Sequence, residues 1–393
     1  MTGWRCLFPQ GEALAGSYVF FVATAFLLYP VNLWTMTFYL GIVPVFGYQF
    51  YRHGGGTVLK TLWQIPCFRL VLALLGWTAL TLLWGESPST HRSAHYFMSS
   101  VTTLIFISGL LLALTQSPNL PRRLGTALIW AGTLNAVLAI VTMPLWTYNG
   151  SRFGGFLITS HPILGAMVIS LCYLFALQRV MNEPAHRYRY AAAAIVLLMF
   201  IAMTQSRGPY IAVAVSTVVL LLRASGQNKL RIGAVLAVTV GALFLGAWLV
   251  LGVGPLGVFH LLAERGTSYR FEIWQFSWHR ILERPWFGHG SAAYLGMAEF
   301  TFPHNIFLSA LFYYGLVGFG LFMLLLGRVF YWLLRHWRQH PDAPLLLAIL
   351  TCTLLGGMTD LSQLAKAPGE LWMMLWLPLG LVLAAMAQAE RSR

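Results

Sequence analysis

The sequence predicts an all-α fold: a polytopic integral membrane protein of about twelve transmembrane helices with one larger loop. Three observations predict it. Of 393 residues, 58% are hydrophobic and only 9% are charged, against roughly a quarter charged in soluble domains. The mean hydropathy is +0.70. Apolar runs near the roughly 20 residues that cross a bilayer recur from end to end.

In order, the runs are 14–30, 31–50, 68–84, 97–115, 124–144, 158–177, 190–205, 208–222, 231–251, 305–327, 344–358 and 370–388. The first and eighth are short for a straight span. No small-residue cleavage site follows the first run, so no cleavable signal peptide is expected. With the N-terminus cytoplasmic, 17 of the 25 Lys and Arg residues fall in cytoplasmic segments and every such loop carries at least two, as the positive-inside rule requires. The net charge of +14 then reflects topology and contact with anionic headgroups of membrane lipids. Nucleic acid is excluded as a partner, because no basic, aromatic-interleaved soluble domain exists to hold it. Cys6, Cys67, Cys172 and Cys352 lie in spans or cytoplasmic segments without metal-ligand spacing, so neither a disulfide framework nor a metal site is expected.

Residues 1–393 read as a single transmembrane domain, interrupted by one long non-cytoplasmic loop over 253–304. Inside it "GTSYRFEIWQFSWHRILERPWFGHG" reads as an amphipathic helix. Ser268 is the expected N-cap, Phe271, Trp274 and Trp278 repeat at helical spacing, and Pro285 follows the end. An interfacial helix without chemistry is the plainer account of it.

Polar residues on the far side supply the candidate site. In "TQSRGPYIA" Ser206 is placed to cap the following span, Pro209 suits its first turn, and Gly208 allows close backbone approach. Arg207 then stands at a helix N-terminus, which favours an anion such as phosphate or diphosphate; its plainer role is snorkelling. Arg270 opens the loop helix, and Arg152 precedes a Gly-Gly pair. His161 reads as a buried structural histidine. Arg265, Arg280 and Arg284 have Glu264, Glu272 and Glu283 as neighbours to pair with. His304 lies at the far-side end of the tenth span, where a neutral imidazole with an ordinary pKa of roughly 6.5 suits general-base work. Asn305 can orient a substrate or a neighbouring helix end. Asp360, at the outer end of the eleventh span, is a candidate buttress for His304. Lys366, between the last two spans, is a candidate contact for an anionic headgroup.

Four stretches carry a resemblance. "HNIFLSALFYYGLVG" resembles the His-[Asn/Ser/Gln]-x9-Gly-x-x-Gly signature of the O-antigen ligase and polymerase superfamily. "SRGPYIA" is similar to that family's Ser-Arg-Gly element. "YRFEIWQFSWHRILERPWFGHG" resembles its Arg-x-x-x-Trp…Pro-x-x-Gly-x-Gly stretch, and "RFGGFLITSHPILGAMVIS" is a looser match to its Gly…Pro element. The motifs cover about residues 150–330; elsewhere the resemblance is one of topology.

The resemblance implies a GT-C-like glycosyltransferase without cofactor or metal. Such a ligase moves a glycan from undecaprenyl diphosphate to the lipid A–core acceptor at the periplasmic face of the bacterial inner membrane. The family's functional positions fall on Arg207, Arg270 and His304. Attack opposite the leaving diphosphate would invert the anomeric centre. An O-antigen polymerase shares much of the pattern, and a protein O-oligosaccharyltransferase is another relative. A lipid-linked sugar flippase is the competing class. Against a flippase, the twelve spans hold no Asp, Glu, Lys or Arg more than one residue inside their ends, whereas ion-coupled carriers keep theirs at mid-membrane.

Overall fold

The computed structural model describes residues 11–28, 31–146, 153–222, 237, 239, 241, 269–297 and 300–391, and all regular elements among them are helical. Besides three short 3-10 turns, these are in chain order α1 (Gly11–Thr24), α2 (Val31–Thr37), a π-helical stretch Phe38–Ile42 running into α3 (Val43–Arg52), α4 (Gly55–Trp63), α5 (Phe68–Leu80), α6 (Thr90–Gln116), α7 (Leu120–Trp146), α8 (Pro162–Asn182), α9 (Arg187–Met203), α10 (Arg207–Leu222), α11 (Arg270–Glu283), α12 (Ile306–Arg335), α13 (Ala343–Asp360), and a π-helical turn Trp372–Trp376 leading into α14 (Leu377–Arg391).

Among the described residues seven helices are long and apolar enough to cross a membrane, and eight if α4 and α5, bent by 107° at residues 64–67, count as one broken span. The seven coincide with expected runs 97–115, 124–144, 158–177, 190–205, 305–327, 344–358 and 370–388. The first and eighth runs are shorter apolar helices, as their length suggested. The ninth, 231–251, lies outside the described residues but for isolated positions. Helix α4 has no counterpart among the expected runs. Its segment contains three consecutive glycines and Lys60, which dilute the apolar signal.

Two compact units contain these helices, each assembled from three stretches: Met1–Val45, Gln116–Gly266 and Leu333–Gly356 in the first, Phe46–Thr115, Thr267–Trp332 and Gly357–Arg393 in the second. In the first unit α8 is the central element. It is buried continuously from Gly165 to Leu177, as befits a helix apolar all round. His161 is its N-cap, accepting the Leu164 N–H at 3.3 Å. The residue is therefore structural, though exposed where a buried position was expected, because a cap stands outside the first turn. Asn135, buried in α7, donates to the Phe26 and Phe156 carbonyls and accepts from Thr159, so its burial leaves no unmet polar group.

The second unit is held by a splice between the loop after α11 and a break in α12. Gly315 sits inside α12 with φ 63 and ψ −170. An unbroken helix would bond the amide of residue 316 to carbonyl 312 and that of 317 to 313. Here Leu316 N–H donates to the Pro285 carbonyl (2.7 Å) and Val317 N–H to that of Trp286 (3.3 Å). The freed Phe312 and Tyr313 carbonyls accept from His289 (2.8 Å) and Gly290 (2.9 Å). Four backbone groups exchange partners and none is orphaned. A Cβ on Gly288, itself at φ +72, would lie 2.5 Å from the Tyr313 oxygen and 2.6 Å from the Gly315 nitrogen. The Pro-x-x-Gly-x-Gly and Gly-x-x-Gly motifs are thus two halves of one backbone joint.

Candidate active site

Three helix ends converge in the second unit: the starts of α11 and α12 and the end of α13. Asn305 is the N-cap of α12, its side-chain oxygen accepting the amides of Phe307 (2.9 Å) and Leu308 (3.3 Å). The expected helix end was a neighbouring one; the end that Asn305 caps is that of its own helix. The cap fixes the residue before it. His304 lies at φ 51, a left-handed conformation that costs a non-glycine residue about 1–2 kcal/mol and is typical of sites held by their surroundings.

Across from it, Asp360 closes α13, its carboxylate 2.6 Å from His304 Nδ1. The Asp360 side chain is 6% exposed and that of His304 24%. An ionised carboxylate only accepts, so Nδ1–H is the donor. This holds a neutral imidazole in the tautomer whose Nε2 carries the free lone pair. Phe302, with ring centroids 4.0 Å apart, and Phe300, edge-on at 5.9 Å, flank the imidazole. Arg270, the first residue of α11, donates from Nε to the Thr359 carbonyl at 3.1 Å, one residue before Asp360. A guanidinium at the negative end of a helix is well placed electrostatically. His304, Asp360 and Arg270 therefore form one cluster, joined through the last turn of α13.

The α11 N-cap position belongs to Tyr269, at φ 58 with no side-chain cap bond, in place of the expected Ser268, which lies outside the described residues. The left-handed turn at Tyr269 replaces a polar cap as the device that starts the helix. Behind α11, fully buried His289 donates from Nε2 to the Arg280 carbonyl (2.6 Å), while its Nδ1 faces Glu86 at 3.2 Å. Arg280 bonds both Glu86 (2.8 Å) and Glu283, and Arg284 pairs with Glu86 at 3.4 Å. Among the described residues the neighbour expectation holds for Arg280 with Glu283; the main acceptor is Glu86, some 200 positions away and invisible to a local reading. Burial works to raise the Glu86 carboxyl, but the His289 hydrogen bond and the Arg280 and Arg284 charges outweigh it and hold it below its ordinary range.

In the first unit Arg207 opens α10, half-buried, with Gly208 and Pro209 in the first turn. Gln205, left-handed at φ 52, makes the sharp turn from α9. Ser206 donates to the Pro162 carbonyl at 3.3 Å, tying the start of α10 to that of α8. Lys366 is exposed, and its carbonyl accepts from Trp372 (2.9 Å) and Thr103 (3.3 Å). Arg152, Glu264 and Arg265 lie outside the described residues. No group of three or more His, Cys, Asp or Glu side chains with metal-holding geometry occurs among the described residues.

Comparison with known proteins follows the same stretch. The family described as O-Antigen ligase matches residues 192–323, which include Arg207, Arg270, His304 and Gly315. The chain is also similar to an O-antigen ligase from Pseudomonas aeruginosa, 27% identical over 343 residues, covering 84% of this chain and 80% of the relative. The chain is thus similar to O-antigen ligases over these stretches, and its long apolar helices are those of a multi-pass membrane protein.

Proposed function

We propose that the protein transfers a glycan from undecaprenyl diphosphate to a sugar hydroxyl of lipid A–core, without a metal and with inversion, at the periplasmic face of the inner membrane. The observation that carries the reading is the 2.6 Å contact between His304 Nδ1 and buried Asp360. Asp360 orients the ring, and Nε2 takes the proton of the acceptor hydroxyl as it attacks the anomeric carbon. The bond from that carbon to the diphosphate oxygen breaks on the opposite face. Diphosphate leaves readily once its growing charge is met, the task of the Arg270 guanidinium, while Arg207 and the N–H groups opening α10 are the first unit's candidate contacts for such an anion. Arg270 donates from Nε to the Thr359 carbonyl at 3.1 Å, which sets its guanidinium one residue from Asp360, and a guanidinium is the group suited to a bidentate phosphate contact. Arg152 and Lys366 are further candidate contacts for the anionic substrates.

Purified protein in detergent with EDTA, given a polyprenyl-diphosphate-linked glycan and lipid A–core, tests the reading. Glycan on lipid A–core is the expected product. Longer donor-linked chains would make the protein a polymerase. Movement of donor across vesicles without new glycosidic bonds would make it a flippase.

A further inference from the structure

We propose that the first unit carries a binding site for an acidic glycerophospholipid, in a groove between α1 and α7. The groove has a volume of about 580 Å³. One face of α1 supplies Val19 and Ala23, continued by Leu27, and one face of α7 supplies Ala127, Trp130, Ala131 and Leu134. The alanines form a slot that larger side chains would fill, and Leu27, Trp130 and Leu134 stand exposed around it. Its lining is apolar everywhere except Thr126 and one end, where Arg122 and Arg123 close it.

The dimensions select the occupant. From residue 123 to residue 134 a helix rises about 16 Å, close to half of the roughly 30 Å hydrocarbon core. A slot one leaflet deep with cations only at its headgroup end fits one phospholipid lying along α7. Charge makes that lipid acidic. Arg123 pairs with Glu12 at 2.6 Å and remains 40% exposed, while Arg122 reaches Glu183 only at 3.4 Å and is 71% exposed. Glu183 is also bonded by Arg179, so three arginines face two carboxylates and the end keeps a net positive charge. Basic pockets between membrane helices hold anionic headgroups on this principle. This site lies at the end of α7 and α8 opposite to the one where Ser206 bonds Pro162, so it is remote from the Arg207 end of the same unit.

Native mass spectrometry of the full chain, after exchange into detergent with equal phosphatidylglycerol and phosphatidylethanolamine, tests the proposal. The wild type should retain phosphatidylglycerol preferentially, by about 5-fold for each contributing arginine. Arg122→Gln/Arg123→Gln should abolish the preference. Ala127→Phe, which fills the slot and leaves the charges in place, should reduce retention of both lipids. Equal retention of the two lipids by the wild type, or an unchanged preference in both variants, would overturn the proposal. So would dimerisation through this face, or displacement of phosphatidylglycerol by an equimolar polyprenyl diphosphate.

Discussion

Replacing Asp360 by Asn changes one atom at the centre of the site and nothing in its shape. The carboxylate accepts from His304 Nδ1 at 2.6 Å and is almost wholly buried. An amide there can donate to Nδ1, and the ring then carries its proton on Nε2, the nitrogen that must accept from the acceptor hydroxyl. The base is lost while the side chain remains. A positioned general base is worth about 10²–10⁴-fold, so Asp360→Asn should lower kcat by that factor, roughly 3–5 kcal/mol in barrier. KM for the donor should stay put, because the proposed reading gives the diphosphate to other residues. Transfer of a fluorescent polyprenyl-diphosphate glycan to lipid A–core, with the variant's melting temperature measured alongside, reads both quantities. A folded Asp360→Asn protein within two-fold of wild-type kcat would refute the role assigned to the dyad.

Further expectations follow from the same geometry. Arg270→Ala should raise donor KM and lower kcat together; Arg270→Lys should recover little, since an ammonium cannot hold the Thr359 carbonyl and also chelate phosphate. Asn305→Ala should cost about 1 kcal/mol of stability, the usual worth of an N-cap, and Asn305→Asp should restore it in thermal melts. Gly288→Ala should destabilise by more than the roughly 1–2 kcal/mol of its left-handed conformation, because its Cβ also meets the Tyr313 and Gly315 backbone; a wild-type melting temperature would contradict the splice. Glu86, whose carboxyl is held below its ordinary 4.5, contributes stability that is full above that value and is lost as pH falls through the depressed one. The acid limb of the melting profile should therefore flatten in Glu86→Gln.

Much of the frame was legible because a bilayer imposes a length. Runs such as 97–115 and 158–177 mark helices Thr90–Gln116 and Pro162–Asn182 with boundary errors at the polar ends, where helices continue beyond hydrocarbon. The bend between α4 and α5 was not legible, since glycines and Lys60 mask its periodicity. The partner of His304 was within reach: Asp360 is an acidic residue at the same membrane level, so topology alone made it a candidate. The carbonyl of Thr359 was not, because a main-chain acceptor leaves no mark in composition. Nor was Glu86, which meets His289 across some 200 positions, or the splice at Gly315, which only backbone hydrogen bonds reveal. The motif glycines carried their signal in the sequence, but their reason is steric and appears only with the neighbouring backbone in place.

The most direct test of the central claim compares wild type with His304→Ala and His304→Gln, in EDTA, under donor saturation. Donor binding is measured separately on each protein. The account predicts unchanged donor binding and a fall in transfer of at least about 10²-fold in both variants. Transfer near the wild-type rate by a folded His304→Ala protein would remove His304 from the chemistry and the account with it.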